Sequence, residues 1–282
     1  MMGISRIRGL AIAVGLLALT AAAPRFENGE SGVVASIVDG DSFVLDSGLE
    51  VRLAQIEAPR VRPGDTWGPQ ATASLERLIK GKRVELRYGG LRRDRRGRAL
   101  AQVFIPQGFG REPVWVQTEM LKTGIARVHT YADNRSAIGE LWGAEREARR
   151  AGRGVWSAPA YQVRFATPEA LAGGIGSFQL AEGRVESAGQ RGSVIFLNFG
   201  TDNKTDVTAV IPERAFPLWR GGIGELLALQ GRAIRIRGYV RNSNGPALWI
   251  DHPEQIEFIM GPPRTPTSTS SRLEAPSTTK KT

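Results

Sequence analysis

The chain has 282 residues with no cysteine and only two histidines, His129 and His252. The first absence excludes a disulfide framework and a thiolate metal site, so stability has to come from burial. The second leaves little room for a His-rich zinc centre or a relay through paired imidazoles. Catalysis, where present, falls to carboxylates, arginines and a metal held by oxygen. Acidic residues are also missing from the first 23 positions, where Arg6 and Arg8 precede an apolar run from Gly9 to Leu19 and the small residues Ala21 to Ala23. That is the pattern of a signal peptide or export anchor, and the run is short against the roughly 20 residues of a membrane span. It predicts an exported protein, either periplasmic, envelope-associated or secreted, with no stable membrane span once the signal is removed.

Lysine and arginine number 38 against 28 aspartates and glutamates, a net charge of +10. The segment at 1–23 carries only two of those positive charges, so the remainder stays basic without it. A basic surface favours a polyanionic partner such as nucleic acid or anionic lipid, and charge alone does not choose between them. Hydrophobic residues make up 41% of the chain, enough for one large core or two smaller ones.

A polar linker is expected over Arg25 to Gly32. From Val33 to Leu45 apolar residues alternate around Asp39-Gly40-Asp41, which reads as strand, tight turn, strand. Ser47-Gly48 turns the chain into a third strand over Glu50 to Ile56. Gly68-Pro69 opens a helix with Ala71, Leu75, Leu78 and Ile79 on one face, and Gly81 ends it. Strands at Arg83 to Tyr88 and Arg98 to Ile105 and helices at Val114 to Thr123 and Ser136 to Ala151 follow. Five strands with a helix between the third and fourth is the order of an OB barrel. After Ala158 the strand-like runs recur, with a helical pattern at Pro212 to Leu229 before the last strands. The expected class is therefore mainly β with helices (α+β): a signal or anchor at 1–23, an OB-fold domain at 30–158, a linker at 159–176, a second OB-like domain at 177–260 with a binding role, and a disordered Pro/Thr/Ser-rich tail at 261–282.

Strand pairing would bring Asp41 and Glu57 to one end of the first barrel. Two carboxylates there repel unless a cation neutralises them, and hard oxygen ligands select Ca²⁺ or Mg²⁺. Asp39 and Asp41 could equally do no more than make the turn. Arg92, Arg93, Arg95, Arg96 and Arg98 crowd one hairpin turn, as a phosphate grip or as a solvated tip.

Val38-Asp39-Gly40-Asp41-Ser42, Val51-Arg52-Leu53, Ile56-Glu57-Ala58-Pro59, Trp67-Gly68-Pro69 and Asp94-Arg95-Arg96-Gly97-Arg98, in that order, resemble the motifs of the staphylococcal nuclease (thermonuclease) family. The resemblance covers roughly Val33 to Ser157 and does not extend beyond. It implies a calcium-dependent phosphodiesterase acting on DNA and RNA with little sequence preference. By the same resemblance Asp41 binds Ca²⁺, Glu57 stands where the family has a metal-binding aspartate, and Arg52 and Arg98 grip the scissile phosphate. Arg60 stands where the family has a glutamate that handles the attacking water, and arginine cannot act as a base. Asp65, a few residues on, is the candidate replacement. Arg60, Arg93, Arg95 and Arg96 are then candidate nucleic-acid contacts. His129 reads as a polar surface or loop residue. In the second domain Arg232, Arg235, Arg237 and Arg241 read as an electrostatic track along one strand or as an ordinary half-solvated sheet face. Three readings follow: a metal-dependent nuclease, an inactive nuclease fold that binds nucleic acid, and an envelope protein that binds anionic polymers.

Overall fold

A computed structural model describes residues 26–202 and 204–259; the expected signal segment and the Pro/Thr/Ser-rich tail lie outside them. The first unit runs β1 (Glu27–Asp39), β2 (Ser42–Leu45), β3 (Glu50–Leu53), β4 (Ile56–Glu57), α1 (Trp67–Ile79), β5 (Arg83–Tyr88), β6 (Ala99–Ile105), β7 (Val114–Trp115), α2 (Val116–Lys122), β8 (Arg127–Val128) and α3 (Ile138–Arg150). β1 pairs with β2 and with β5, β2 with β3, β5 with β6, and β3 returns parallel to β6, so five strands close into a barrel. Closure removes the free edges that an open sheet would expose. Period-2 alternation fills the interior: Phe43 and Leu45, Val51 and Leu53, and Val84, Leu86 and Tyr88 all lie buried in one core. Ala71, Leu75 and Ile79, spaced at four residues, form the buried stripe by which α1 covers the barrel.

The expected linker at Arg25 to Gly32 is instead largely strand. Glu27, Asn28, Ser31 and Gly32 pair with β5, because ladder hydrogen bonds need only the backbone and a polar run can make them.

The second unit follows through β9 (Arg164–Phe165), α4 (Pro168–Ala172), β10 (Phe178–Arg184), β11 (Ser187–Arg191), β12 (Val194–Asn198), β13 (Thr208–Pro212), α5 (Gly222–Leu227), β14 (Ala233–Asn242), β15 (Pro246–Trp249) and β16 (Ile256–Phe258). β10 and β11 act as one bent strand, the first half on β14 and the second on β12; β13 runs parallel to β15, and β15 pairs with β14. This repeats the pairing order of the first barrel. The helical pattern at Pro212 to Leu229 is split into a 3₁₀ turn, Glu213–Leu218, and α5. Pro217 lies inside the former, and Gly222, the first residue of the latter, stands at φ +57°, which turns the chain out of the preceding helical path. The stretch expected as a linker at 159–176 is structured, with β9 parallel to β10 and α4 capped by Thr167, whose hydroxyl accepts from the Ala170 amide at 3.3 Å. Thr-Pro at its start is an N-cap followed by a proline at N1, a helix signal readable in the sequence.

The barrels are docked tightly. Ala148, Val155 and Trp156 of the first pack on Phe178 and Leu180 of the second. Beside them Arg237 of β14, fully buried, reaches Glu145 of α3 at 2.9 Å and also pairs with Glu257 of β16. Arg235 pairs with Glu182 at 2.6 Å and Glu257 at 3.3 Å. Arg237 is thus spent inside the protein, since a buried carboxylate on α3 demands a buried cation opposite it, and Arg235 is spent on two carboxylates of its own barrel. Arg241 lies over the ring of Trp249 and Arg232 over Phe258. Among the described residues no helix is long and apolar enough to cross a membrane.

Candidate active site

The β1–β2 turn places the first carboxylates. The Asp41 amide donates to Asp39 Oδ1 at 3.0 Å, and Gly40 between them is buried against α1, where an added Cβ would stand 2.5 Å from Ala71 Cβ. Only glycine lets the turn lie that close to the helix. Asp41 is 7% exposed; its Oδ2 accepts from the Ala58 amide at 3.1 Å and its Oδ1 from the Ser42 hydroxyl at 3.0 Å. Cross-strand pairing sets Arg52 opposite Ser42, with its Nη2 3.9 Å from Asp41. Arg98, at the entry to β6, sends Nη1 to the Ser42 hydroxyl at 3.5 Å and is held by Asp94 at 2.7 Å. Ser42 thus joins Arg98 to Asp41. It lies within the Asp-Gly-Asp-Ser motif, but its bridging position depends on the register of three strands.

Burial pushes the Asp41 carboxyl up to about 6; Arg52 pulls it down, and the charge of Asp39 pushes it further up. Burial also works against the Arg52 charge, yet Asp41, Tyr131 and Glu57 outweigh it and hold that guanidinium above its ordinary value. Asp41 is a carboxylate with too little positive charge around it for its degree of burial.

Glu57 behaves oppositely. β4 pairs with β8, bringing Glu57 opposite Arg127 and next to His129. His129 Nδ1 lies 2.6 Å from Glu57 Oε2, and the hydroxyl of Tyr239, from the second barrel, donates to Oε1 at 2.9 Å. Burial disfavours the charge, but these partners win and bring the Glu57 carboxyl down to about 2. Expected as a surface or loop residue, His129 is in fact a partner of Glu57, packed between Tyr131 and Phe178 with ring centroids 4.6 Å from each. No sequence signal pointed to Tyr239.

A cavity of about 670 Å³ opens over this cluster, lined by Asp39, Asp41, Arg52, Glu57, Arg60, Arg95, Arg96 and Arg98 among others. Arg60, Arg95 and Arg96 are exposed at its rim. Arg93 points elsewhere: it pairs with Glu30 and donates to the Tyr88 hydroxyl at 2.8 Å, pinning the hairpin to β1. Asp65 does not line this cavity. Its Oδ1 accepts from the Trp67 amide at 2.8 Å and its Oδ2 from the Tyr161 hydroxyl at 3.2 Å, so it organises the start of α1 and faces a neighbouring cavity.

A family model described as staphylococcal nuclease homologue matches residues 50–158. An uncharacterized endonuclease of Escherichia coli is 33% identical over 129 residues, which is 45% of this chain and 76% of that protein. The chain belongs to the staphylococcal nuclease family. A micrococcal nuclease of Shigella flexneri is 30% identical over 162 residues, covering 55% of this chain and 88% of its own length. A thermonuclease of Staphylococcus hyicus is 24% identical over 137 residues, 46% of this chain and 78% of its own. The Asp41, Arg52 and Arg98 cluster sits in the nuclease barrel, and the family match stops before the second barrel begins.

Arg52 and Arg98 can offer planar pairs of N–H donors to phosphate oxygens, the geometry guanidinium shares with phosphodiesters. The under-neutralised Asp41, with Asp39 beside it, fits a hard divalent cation that keeps most of its water. Glu57 is already held by His129 and Tyr239 and would join such a cation only by sharing its oxygens. The described residues contain no group of three or more histidine, aspartate or glutamate side chains arranged as a closed metal cage.

Proposed function

We propose that this nuclease-family protein is a metal-dependent phosphodiesterase, with Ca²⁺ or Mg²⁺ as cofactor, cleaving DNA or RNA with low sequence specificity. The observation that carries this reading is the buried Asp41 carboxyl, raised to about 6, lying 3.9 Å from Arg52 in a cleft also lined by Arg98. A cation on Asp41 would neutralise that carboxylate and supply positive charge to a bound phosphate. Arg52 and Arg98 would hold the non-bridging oxygens and stabilise the charge that grows on them, the electrostatic contribution that is usually largest. Arg95, Arg96 and Arg60 at the rim would contact neighbouring phosphates without reading bases. No carboxylate occupies position 60, and loss of a general base typically costs about 10²- to 10⁴-fold, so slow turnover is expected. Asp65 could replace it only by leaving Trp67 and Tyr161, and the role is not assigned to it.

The test is release of acid-soluble nucleotides from single-stranded DNA and RNA with Ca²⁺, Mg²⁺ or EDTA, beside Asp41→Ala. Metal-dependent release that the variant lacks supports the reading. Tight oligonucleotide binding with no release under any metal would leave a binding protein that uses the same arginines.

A further inference from the structure

A second cavity, of about 590 Å³, lies between the barrels and shares Glu57, Ala58, Pro59 and Arg60 with the cleft described above. The two cavities therefore adjoin at this segment. The cavity has an aromatic lining that the first lacks in this density: Trp67, Tyr161, Phe178 and Tyr239. Arg60 and Arg62 stand exposed at its edge. Its two carboxylates, Glu57 and Asp65, are outnumbered in the same lining by Arg60, Arg62, Arg127 and Arg164. Phe178 and Tyr239 come from the second barrel and lie beyond the residues the family model matches, so this part of the lining is outside the matched nuclease region.

We propose that the inter-barrel cavity is a second nucleotide subsite, taking a base of the same single strand on one side of the scissile phosphate, with Arg62 on the intervening phosphate. This rests on the proposed nuclease reading of the first cleft. A volume of about 590 Å³ falls in the range of small-ligand pockets. Of the four rings Trp67, Tyr161 and Tyr239 are partly exposed and offer aromatic surface to any base, and arginine at the edge tracks the backbone, which together bind single strands with little sequence preference. Duplex would have to open to enter, so the second barrel confers preference for unpaired strands.

The test uses the full chain in EDTA, with fluorescent oligothymidylates of two, four and six nucleotides, and reads anisotropy for wild type, Arg62→Glu, Tyr161→Ala and Arg52→Ala. In wild type, affinity should rise with length. Arg62→Glu and Tyr161→Ala should each remove about tenfold of that rise, as expected for one lost stacking or phosphate contact, and Arg52→Ala should weaken all lengths alike. Arg62 is exposed, so its variant remains informative even where Tyr161→Ala fails to fold. A length dependence unchanged in the Arg62 and Tyr161 variants, or flat beyond two nucleotides in wild type, overturns the subsite and leaves the first cleft standing. Failure of wild type to bind at any length also overturns the subsite, whereas the nuclease reading falls only with the metal-dependent release assay.

Discussion

The hydroxyl of Tyr239, on a strand of the second barrel, donates to the carboxylate of Glu57 in the first at 2.9 Å. Glu57 raises the Tyr239 pKa, on top of burial, to about 12, so the phenol stays a donor throughout the working pH range. The nuclease barrel's candidate site is thus completed from outside that barrel.

Tyr239→Phe removes this donor and little else. Tyr239 is 40% exposed, so folding stability should fall by less than about 1 kcal/mol. Turnover should fall several-fold with little change in oligonucleotide affinity, as Glu57 loses one of its two partners. Paired denaturation and steady-state measurements check this; unchanged kcat would mean that His129 alone positions Glu57.

The carboxyls of Asp41 and Glu57 give opposite pH dependences. With Asp41 at about 6 when folded and 3.8 otherwise, the folded state binds more protons between those values, so stability falls as pH rises through that window. Glu57, lowered to about 2 from 4.5, contributes stability that is present above 4.5 and lost as pH falls through 2. Asp41→Asn should therefore raise the unfolding free energy at pH 8, by up to about 2 kcal/mol, and do little at pH 4. Added Ca²⁺ should stabilise wild type at pH 7 and leave the variant unchanged. Calorimetry at the three pH values decides, and an Asp41→Asn protein less stable at pH 8 than wild type would contradict the burial argument.

Arg237 is the cation between two buried carboxylates, Glu145 and Glu257. Arg237→Met should cost less than the roughly 3–5 kcal/mol of a wholly unpaired buried charge, because Arg149 stays 3.5 Å from Glu145 and 3.7 Å from Glu257 and Arg235 stays 3.3 Å from Glu257. The loss should shrink as pH falls, because Glu257, disfavoured as a charge by burial but held below its ordinary value by Arg237 and its neighbours, takes up its proton sooner in the variant. Urea unfolding at pH 7 and pH 4.5 measures both, and an equal loss at the two pH values would show that packing rather than charge dominates.

Gly40→Ala would bring a Cβ to 2.5 Å from Ala71 and 2.8 Å from Ala58. Such overpacking typically costs about 1–3 kcal/mol, and relief requires the turn to lift off α1 and carry Asp41 with it. Cleavage and the metal-induced rise in melting temperature should both be lost in a chain that still folds. Retention of the metal response would show that Asp41 tolerates the shift.

Much of the first barrel was legible because its cause is local. Alternating Val51 and Leu53, the four-residue spacing of Ala71, Leu75 and Ile79, and Asp39-Gly40-Asp41 at a turn each state their element within a few residues. The polar strand start at Glu27 to Gly32 was not legible, because its pairing lies in the backbone and in a partner strand more than 50 residues away. Position 60 could also be read directly: the arginine there excludes a base whatever the fold.

The sequence by itself determined the chemistry available, namely arginines and carboxylates without cysteine, and the order of elements that closes a barrel. Only the tertiary structure decided what those groups meet. Antiparallel pairing of Glu57 with Arg127 set it beside His129, docking of the barrels brought Tyr239 to it and set Arg237 against Glu145, and pairing within the second barrel set Arg235 against Glu182. The physical reason is range: turns and periodicity are fixed by neighbours along the chain, whereas burial, charge compensation and the shape of a groove depend on surfaces that meet only after both barrels have formed.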